Sequence, residues 1–466
     1  MAKAKTSYVC TSCGQIYPKW QGRCDGCKSW NTIEETVPEP VNKRTGVKSL
    51  PSNVAVKRLK EVTSSQAERI ITDIGEFNRV MGGGIVRDSL TIVTARPGAG
   101  KSTLLLQVAR DVASKGLNVL YASGEESESQ IKNRAERILN DIPDNIWIHS
   151  DVSLNNVLAL VEQVEAELII VDSIQTFIME EYSSRPGSPV QTMECANALL
   201  QVAKNSSKKR AVIIVGQMTK DDEIAGVRAL EHLVDAVLVI EGDGGEELRS
   251  ITATKNRFGS TGEAAFFAMT EKGMEPIENP SEYFMTERSL NQKVSGSALT
   301  VVREGTRPII AEIESLVSPS FTPYPARISE NVKREQLNTL ISIIEQRGKV
   351  QLFDKNVVVK TTGGLKLKEQ SVNLAVAISI ASSEKDKPVP TDTVFIADIG
   401  LTGELKKVPN MEARLREADR MGYKVAYIAR KSLSRDIGLK NIELIEKNTL
   451  SEVIWSVFEE KKSLPF

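Results

Sequence analysis

Two groups of residues in this chain have types and spacing that dictate chemistry. The first is Ala95-Arg96-Pro97-Gly98-Ala99-Gly100-Lys101-Ser102-Thr103, which carries the Gly-Lys-Ser ending of a phosphate-binding loop. Backbone N–H groups around Gly98 and Gly100 can wrap phosphate oxygens, Lys101 supplies a cation for the β- and γ-phosphates, and the Ser102 hydroxyl is a ligand for Mg²⁺. The expected ligands are therefore a nucleoside triphosphate, ATP, and Mg²⁺. Ala95 stands where the pattern has its first Gly, which removes some backbone freedom there. The second group is Cys10-x2-Cys13 and Cys24-x2-Cys27, four of the five cysteines of the chain. Two such knuckles can place four thiolates around one tetrahedral Zn²⁺. A pair of disulfides is the alternative, but nothing else in the chain suggests secretion. Cys195 reads as a small buried hydrophobe.

The elements around the loop are those it needs. Residues 90–94 form an apolar run expected to be a buried strand, and Leu104, Leu105, Val108, Ala109 and Val112 give the next segment a helical apolar face. Further strands are expected at 117–122, 168–172, 211–216 and 236–241, with helices at 127–139, 154–165 and 191–204. This alternation argues for a mostly parallel, helix-covered sheet. Asp172 ends the strand taken as second after the loop strand, where a carboxylate would complete the Mg²⁺ shell opposite Ser102. In Ser123-Gly124-Glu125-Glu126-Ser127, Glu125 or Glu126 is a candidate base for the attacking water, though Glu126 serves equally well as a helix-capping acid. Gln217, at a strand tip, is placed to sense the γ-phosphate. Loops 182–189 and 218–226 follow parallel strands and so gather at the ligand-binding edge, where either could touch a polymer. A second mixed unit begins near residue 296, with strands expected at 301–303, 309–317, 357–360, 394–397 and 425–429, and helices at 335–346, 371–382 and 412–421.

A length of 466 residues suggests about three domains. Hydrophobic residues make up 41% and charged residues 26%, with no apolar run long enough to span a bilayer and no signal-like start, so a cytoplasmic protein is expected. The net charge is −1, but residues 1–60 hold eleven Lys/Arg against four Asp/Glu, a local +7 that leaves −8 for the remainder.

Taken together, these residues resemble the RadA (Sms) family of bacterial recombination proteins. The resemblance rests on the four-Cys ribbon with Trp20-x-Gly22 and Trp30-Asn31-Thr32, Gly82-Gly83-Gly84-Ile85-Val86, the phosphate loop, Ser123 to Ser127, Asp172-Ser173-Ile174-Gln175-Thr176 and Lys255-Asn256-Arg257-Phe258-Gly259. It implies an α/β fold with a zinc ribbon at 1–32, a linker at 33–65, a RecA-like phosphate-loop ATPase core at 66–275 and an α+β Lon-protease-like domain at 290–466. It further implies a homo-oligomeric ring, a hexamer, on single-stranded and branched DNA. In that family the ring drives branch migration as a DnaB-type helicase, with the recombinase RecA as a partner. Lys255 and Arg257 are implied to reach a neighbouring subunit's nucleotide, and the loops 182–189 and 218–226 to contact DNA. Against the usual family pattern, Arg96 replaces an acid, Arg87-Asp88 replace Pro or Lys and Gly, and Gln217 replaces a frequent His, so altered ATP affinity or rate is expected.

The Lon likeness raises a competing reading, an ATP-dependent Ser–Lys protease. Ser371 occupies the nucleophile's place, but the base is expected at Glu412, and a carboxylate there is not the neutral amine such a dyad needs. A RecA-fold signalling ATPase or kinase is the third reading, disfavoured by the cysteine ribbon and by Lys255 to Gly259. If the cysteines hold zinc, Cys27→Ala is expected to abolish the zinc content that metal analysis finds in the wild-type chain.

Overall fold

The structure, a computed structural model, describes residues 69–459 apart from 206, 218–226, 243–244, 287–293, 366 and 368; ahead of these it describes 7–10, 16–17, 19–24, 27, 30, 33–36 and 60. The chain divides into two units, 1–65 and 66–466.

In the first unit, β1 (Ser7–Cys10) pairs antiparallel with β2 (Ile16–Tyr17) and β3 (Ile33–Thr36), in the order β2-β1-β3. Because Ile33 pairs back onto Cys10, the ribbon runs past the boundary expected at residue 32. The remainder of the expected linker lies outside the described residues, Lys60 excepted.

The second unit begins with the short β4 (Arg69–Ile70), α1 (Gly75–Val80) and β5 (Ile85–Val86). Next come β6 (Leu90–Ala95), α2 (Lys101–Ser114), β7 (Val119–Ser123), α3 (Glu128–Ile138), β8 (Ile146–Ser150), α4 (Leu154–Gln163) and β9 (Leu168–Asp172). After α5 (Pro189–Ala203), β10 (Ala211–Gln217), α6 (Val227–Leu233) and β11 (Ala236–Glu241), the sheet is extended by β12 (Leu248–Asn256), β13 (Ala264–Thr270) and β14 (Gly273–Pro276). The nine strands order as β14-β13-β12-β11-β6-β10-β9-β7-β8, parallel from β11 to β8 and antiparallel beyond β11.

Every residue of β6 is buried, as a central strand covered on both faces requires. On one face α2 packs Leu104, Leu105, Val108, Ala109 and Val112 against Val93, Ile170, Ile213 and Leu238. On the other, α4 and α5 cover Ile92, Ile169, Val171 and Ile214 with Val157, Val161, Cys195 and Leu199. Cys195 is thus the buried hydrophobe expected, and burial pushes its thiol up to about 12. Strand β8, absent from the sequence expectation, is an edge strand of intermediate burial whose pattern carries little periodic signal. Its presence makes the Asp172 strand third after the loop strand in sequence, a correction to second; in space only β10 separates β6 from β9.

The remaining elements are α7 (Pro280–Tyr283), β15 (Ser297–Glu304), β16 (Arg307–Pro319), β17 (Arg327–Ser329), α8 (Arg334–Gly348), β18 (Lys355–Thr361) and α9 (Asn373–Lys385). They continue with β19 (Thr393–Ile396), β20 (Asp398–Ile399), β21 (Leu405–Lys406), α10 (Met411–Arg420), β22 (Val425–Ala429), β23 (Glu443–Lys447) and α11 (Leu450–Phe458). Seven strands form a mixed sheet ordered β17-β18-β16-β15-β19-β22-β23. Helices α8, α9 and α11 share one core with Ile309, Ala311, Ile313, Val357 and Val359. Helix α10 lies on the other face, where Leu415 and Ala418 meet Val301, Ile310 and Ile396. Among the described residues no helix is long and apolar enough to cross a membrane.

The nine- and seven-stranded sheets are tied by an ion pair on the buried Glu76 carboxylate. Arg307 Nη1, at the start of β16, donates to both Glu76 oxygens at 3.0 and 2.8 Å, and Nη2 donates to the Glu278 carbonyl at 2.8 Å. The Glu76 carboxylate, on α1, also accepts from the Phe266 N–H at 3.1 Å. Removing one partner of such a pair strands the other charge. Arg307→Ala is expected to cost about 3 kcal/mol, a fall of roughly 4 °C in the midpoint of this unit by differential scanning fluorimetry.

Candidate nucleotide site

The phosphate loop leaves β6 at its carboxyl end and opens directly into α2. Gly98 and Gly100 take φ of 79° and 100°, conformations that favour glycine, and a Cβ on Gly100 would collide with Met269. Ala95 is the last residue of β6, paired with Gln217 and Ile240, so extended backbone accommodates its methyl group. Asp88, where the resemblance has Gly, adopts a φ of 66°, the left-handed region that Gly enters most readily. Lys101 Nζ donates to the carbonyls of Ala95 and Arg96 at 3.2 and 3.4 Å. Burial lowers its pKa below the usual amine value, opposed by the charges of Asp172 and Glu125.

Strand β9 brings Asp172 beside the loop. The Ser102 hydroxyl donates to Asp172 Oδ2 at 2.6 Å, and the Tyr121 hydroxyl, from β7, donates to the same oxygen at 2.7 Å. Burial and the Asp172 charge push the Tyr121 phenol well up, which keeps it a donor. These oxygen donors fit a hard divalent cation such as Mg²⁺.

Between β6 and β9, β10 ends at Gln217, whose Nε2 donates to Glu125 Oε1 at 2.8 Å; the Ser173 hydroxyl donates to the same oxygen at 2.5 Å. Glu125 reaches this position because Gly124 lies against Thr176, where any Cβ would clash with the threonine side chain. Glu126 points elsewhere: the Arg134 guanidinium forms a two-pronged pair with its carboxylate, with Nη1 at 2.7 Å from Oε2. The structure thus separates the two glutamates that sequence left open, and brings Lys101, Ser102, Glu125, Asp172 and Gln217 together.

Tyr121 and Arg249 escaped the sequence reading. Buried Arg249, on β12, donates from Nε to the Ala99 carbonyl at 3.2 Å and from Nη1 to the Glu246 carbonyl at 2.6 Å, bracing the loop from beneath. A tyrosine and an arginine each inside a strand offered no local signal for either contact.

Lys255 and Arg257 are not at this site. Asn256 pairs with Ala236, which pairs with Thr91, so they lie toward the start of β6, about 13 Å along the strand from Ala95. Arg257 Nη1 donates to Asp235 Oδ1 at 3.1 Å, and Lys255 Nζ donates to the Glu231 carbonyl. Asp235 is buried and also accepts from the Leu90 N–H at 3.1 Å and from Lys204 Nζ at 2.9 Å. Gly82, at φ 78°, lets the backbone cross Gly259 closely: a Cβ on it would stand 2.9 Å from Gly259 Cα.

Of the loops expected to contact DNA, 218–226 lies outside the described residues. Loop 182–189 is tied down by the buried Gln191, whose Nε2 donates to the carbonyls of Tyr182 and Ser184 at 2.7 and 3.1 Å, while the Tyr182 and Arg185 side chains face solvent.

In the N-terminal unit, buried Cys24 lies 3.1 Å from the Tyr17 hydroxyl, and Cys27 is exposed. Cys10 ends β1; its side chain, and Cys13, lie outside the described residues. Paired knuckle thiols remain the soft donor set that suits Zn²⁺.

Near Ser371 the expectation for Glu412 is corrected. Glu412 is half-exposed on α10 and pairs with Arg416 at 2.9 Å. The side chain that reaches Ser371 is Arg414, whose Nη1 donates to the Ser371 hydroxyl at 3.2 Å and whose Nη2 donates to Glu369 at 2.7 Å. Ser371 itself donates to Glu369 at 2.9 Å.

Fold and site define an α/β phosphate-loop ATPase. Residues 55–223 match the family described as AAA domain, 8–35 match Rubredoxin metal binding domain, and 328–432 match Subunit ChlI of Mg-chelatase. The chain is similar to the DNA repair protein RadA of Bacillus subtilis strain 168, at 39% identity over 97% of this chain and 99% of that protein. It is also similar to the DNA repair proteins RadA of Streptococcus pyogenes serotype M3 (38% identity; 98% and 100% of the two chains) and Listeria monocytogenes serovar 1/2a (37%; 100% of both). The chain belongs to the RadA family.

Arg414 also donates to the Val301 carbonyl at 2.5 Å, so it ties α10 to β15 and to the segment bearing Ser371. Arg414→Ala is expected to cost about 3 kcal/mol and Ser371→Ala less than about 1 kcal/mol. Urea unfolding followed by circular dichroism would measure the two.

Proposed function

We propose that this protein is a DNA-dependent ATPase that works as a ring, a hexamer, and drives branch migration of recombination intermediates during homologous recombination and DNA repair. The observation that carries the reading is the division of charged groups between the two edges of one sheet. Lys101, Ser102, Asp172, Glu125 and Gln217 gather at the carboxyl edge, whereas Lys255 and Arg257 lie toward the other. A subunit built this way holds ATP with one edge and offers cations to a neighbour with the other, which couples hydrolysis to assembly.

Within one site, Lys101 and the loop N–H groups bind the phosphates, and Ser102 and Asp172 hold Mg²⁺, with Tyr121 fixing the Asp172 carboxylate. Glu125 orients the attacking water and takes its proton. Gln217 links that carboxylate to segment 218–226, so that γ-phosphate loss reaches a DNA-facing loop; loop 182–189 is the second DNA contact. Cys10, Cys13, Cys24 and Cys27 hold Zn²⁺ in a domain covering 1–32 and completed by β3, followed by a linker to 65, a RecA-like core at 66–275 and a Lon-like domain at 290–466. Single-stranded and branched DNA are the substrates, the recombinase RecA is a partner, and the cytoplasm is the compartment. The relatives' name as DNA repair proteins supports the repair assignment. Among the described residues no neutral amine reaches Ser371: Arg414, the cation beside it, cannot accept the hydroxyl proton.

A mixing experiment tests the ring and its shared sites. Lys101→Ala alone is expected to abolish hydrolysis, and Lys255→Ala to bind ATP without turning it over. Combined, they should regain DNA-stimulated ATPase and branched-DNA unwinding, since intact Lys255 of one variant serves the intact loop of the other. Full unwinding by Lys255→Ala alone would sink the assignment.

A further inference from the structure

The seven-stranded sheet is covered unevenly. Val357 and Val359 of β18 and Ile313 of β16 point into the core shared with α8 and α9, so Leu316, Val358 and Ile328, paired side by side across β16, β18 and β17, point to the other face. Helix α10 covers that face over Val301, Ile310 and Ile396, whereas Leu316 and Ile328 are exposed. Beside them the loop from β16 to β17 holds Phe321 and Tyr324 99% and 89% exposed. The loop is fastened. The Ser320 N–H donates to the Asp354 carbonyl at 2.8 Å, the Thr322 hydroxyl to the Tyr324 carbonyl at 3.0 Å and the Ala326 N–H to Asn356 Oδ1 at 2.7 Å. Two aromatic rings held in water by a fixed loop, beside an uncovered apolar face, mark a contact surface.

The same unit carries a matching cavity. It measures about 450 Å³ and opens along the first three turns of α8, walled by Leu340, Ile343, Leu367 and Leu401. Roughly 10–15 Å³ of such space admits one water, so this volume admits a whole aromatic side chain. Asp398 stands at the wall: its Oδ1 accepts from Asn373 Nδ2 and from the Ile399 N–H, both at 2.7 Å, while among the described residues no donor reaches Oδ2. Gln336 Nε2 donates to Asn373 Oδ1 at 2.7 Å and so fixes the carboxamide that holds Asp398. Lys333 and Lys406, also at the cavity, are exposed and join no ion pair among the described residues.

Apolar walls with one unengaged carboxylate oxygen match a tyrosine, whose ring is apolar and whose hydroxyl donates. Within one copy the two parts stay apart, because the Asp354 contact ties the loop beyond the C-terminal end of α8 and the cavity lies along the helix's earlier turns. A protrusion and a separate cavity that fit across copies make a head-to-tail contact, the kind that closes a ring. Charge agrees with this occupant, since exposed Asp354 at the loop faces a cavity bearing Lys333 and Lys406. We propose that the 320–326 loop of one copy of this chain seats in the α8 cavity of the next, with the Tyr324 hydroxyl donating to Asp398 and the Asp354 carboxylate beside Lys333 and Lys406. The inference rests on the ring reading and adds to it a contact in the C-terminal sheet.

The test is sedimentation velocity of the full chain without DNA, in Mg²⁺ and a non-hydrolysable ATP analogue, over a concentration series. Wild type is expected to assemble, and F321S/Y324S to need at least about ten-fold more protein for half-assembly. T339W, which fills the cavity from an exposed position on its rim, is expected to do the same. All of these positions are exposed, so circular dichroism should find the variants folded as wild type. Charge reversal separates a second copy from any other partner: D354K and K333E/K406E should each weaken assembly, and D354K/K333E/K406E should return to within about three-fold of wild type. Wild-type assembly by both F321S/Y324S and T339W overturns the inference and leaves the ring standing. A triple variant no better than its parents overturns the head-to-tail placement, and a wild-type chain that stays monomeric at every concentration overturns ring and contact together.

Discussion

The contact between the Ser102 hydroxyl and the Asp172 carboxylate, 2.6 Å long, is the constraint to which the rest of the site conforms. It joins residues seventy apart in sequence, and it holds only if β6, β10 and β9 keep one register. They do: Gln217 pairs with Ala95, Ile214 with Val171, and Ser123 with Asp172, so the strand tips form a row at the carboxyl edge. A slip of one residue in β9 would turn Asp172 to the other face and leave Ser102 without its partner. The parallel sheet, buried on both faces, resists that slip, because the same shift would move Ile170 and Val171 between two cores of different composition.

The same strand that ends in the phosphate loop begins at Asp235. Leu90 donates its N–H to the Asp235 carboxylate at 3.1 Å, and Arg257 binds the other oxygen at 3.1 Å. Thus β6 connects a nucleotide loop at one end to a charged turn at the other, held by the Asp235 carboxylate and by main-chain bonds from the Asp235 N–H to the Leu90 carbonyl at 2.8 Å and from the Arg257 N–H to the Asp235 carbonyl at 3.0 Å. Gly82 and Gly259 add a steric condition, since their backbones approach too closely for any side chain at either position. The glycine run ahead of the loop and the glycine closing Lys255 to Gly259 are therefore two halves of one contact.

This accounts for what the sequence made legible. Gly98, Gly100, Lys101 and Ser102 announce themselves because their chemistry is local: glycines at positive φ, a cation and a hydroxyl at a helix start. Strands β6, β9, β10 and β11 are legible because continuous apolar runs are the signature of strands covered on both faces. Edge strand β8, of intermediate burial, carries no such run and was missed. Tyr121 and Arg249 act on partners 51 and 150 residues away, and no local pattern encodes such a pairing. The choice between Glu125 and Glu126 likewise depends on Arg134, Ser173 and Gln217, whose convergence is a property of the folded sheet.

The base position near Ser371 was misread by two residues, and helical geometry makes two residues decisive. A step of two along α10 rotates a side chain by about 200°, from the solvent side where Glu412 meets Arg416 to the sheet side where Arg414 is buried. The buried guanidinium changes the character of the hydroxyl it touches. Ser371 donates to Glu369 and accepts from Arg414, so its proton and a lone pair are engaged within a buried ion pair that also holds the Val301 carbonyl. A nucleophile must present its oxygen to a carbonyl and pass its proton to a base. Here the oxygen faces a cation that cannot take a proton, and the carboxylate that accepts its hydrogen bond is itself paired with that cation. Ser371 therefore belongs to the packing that joins α10, β15 and the start of α9.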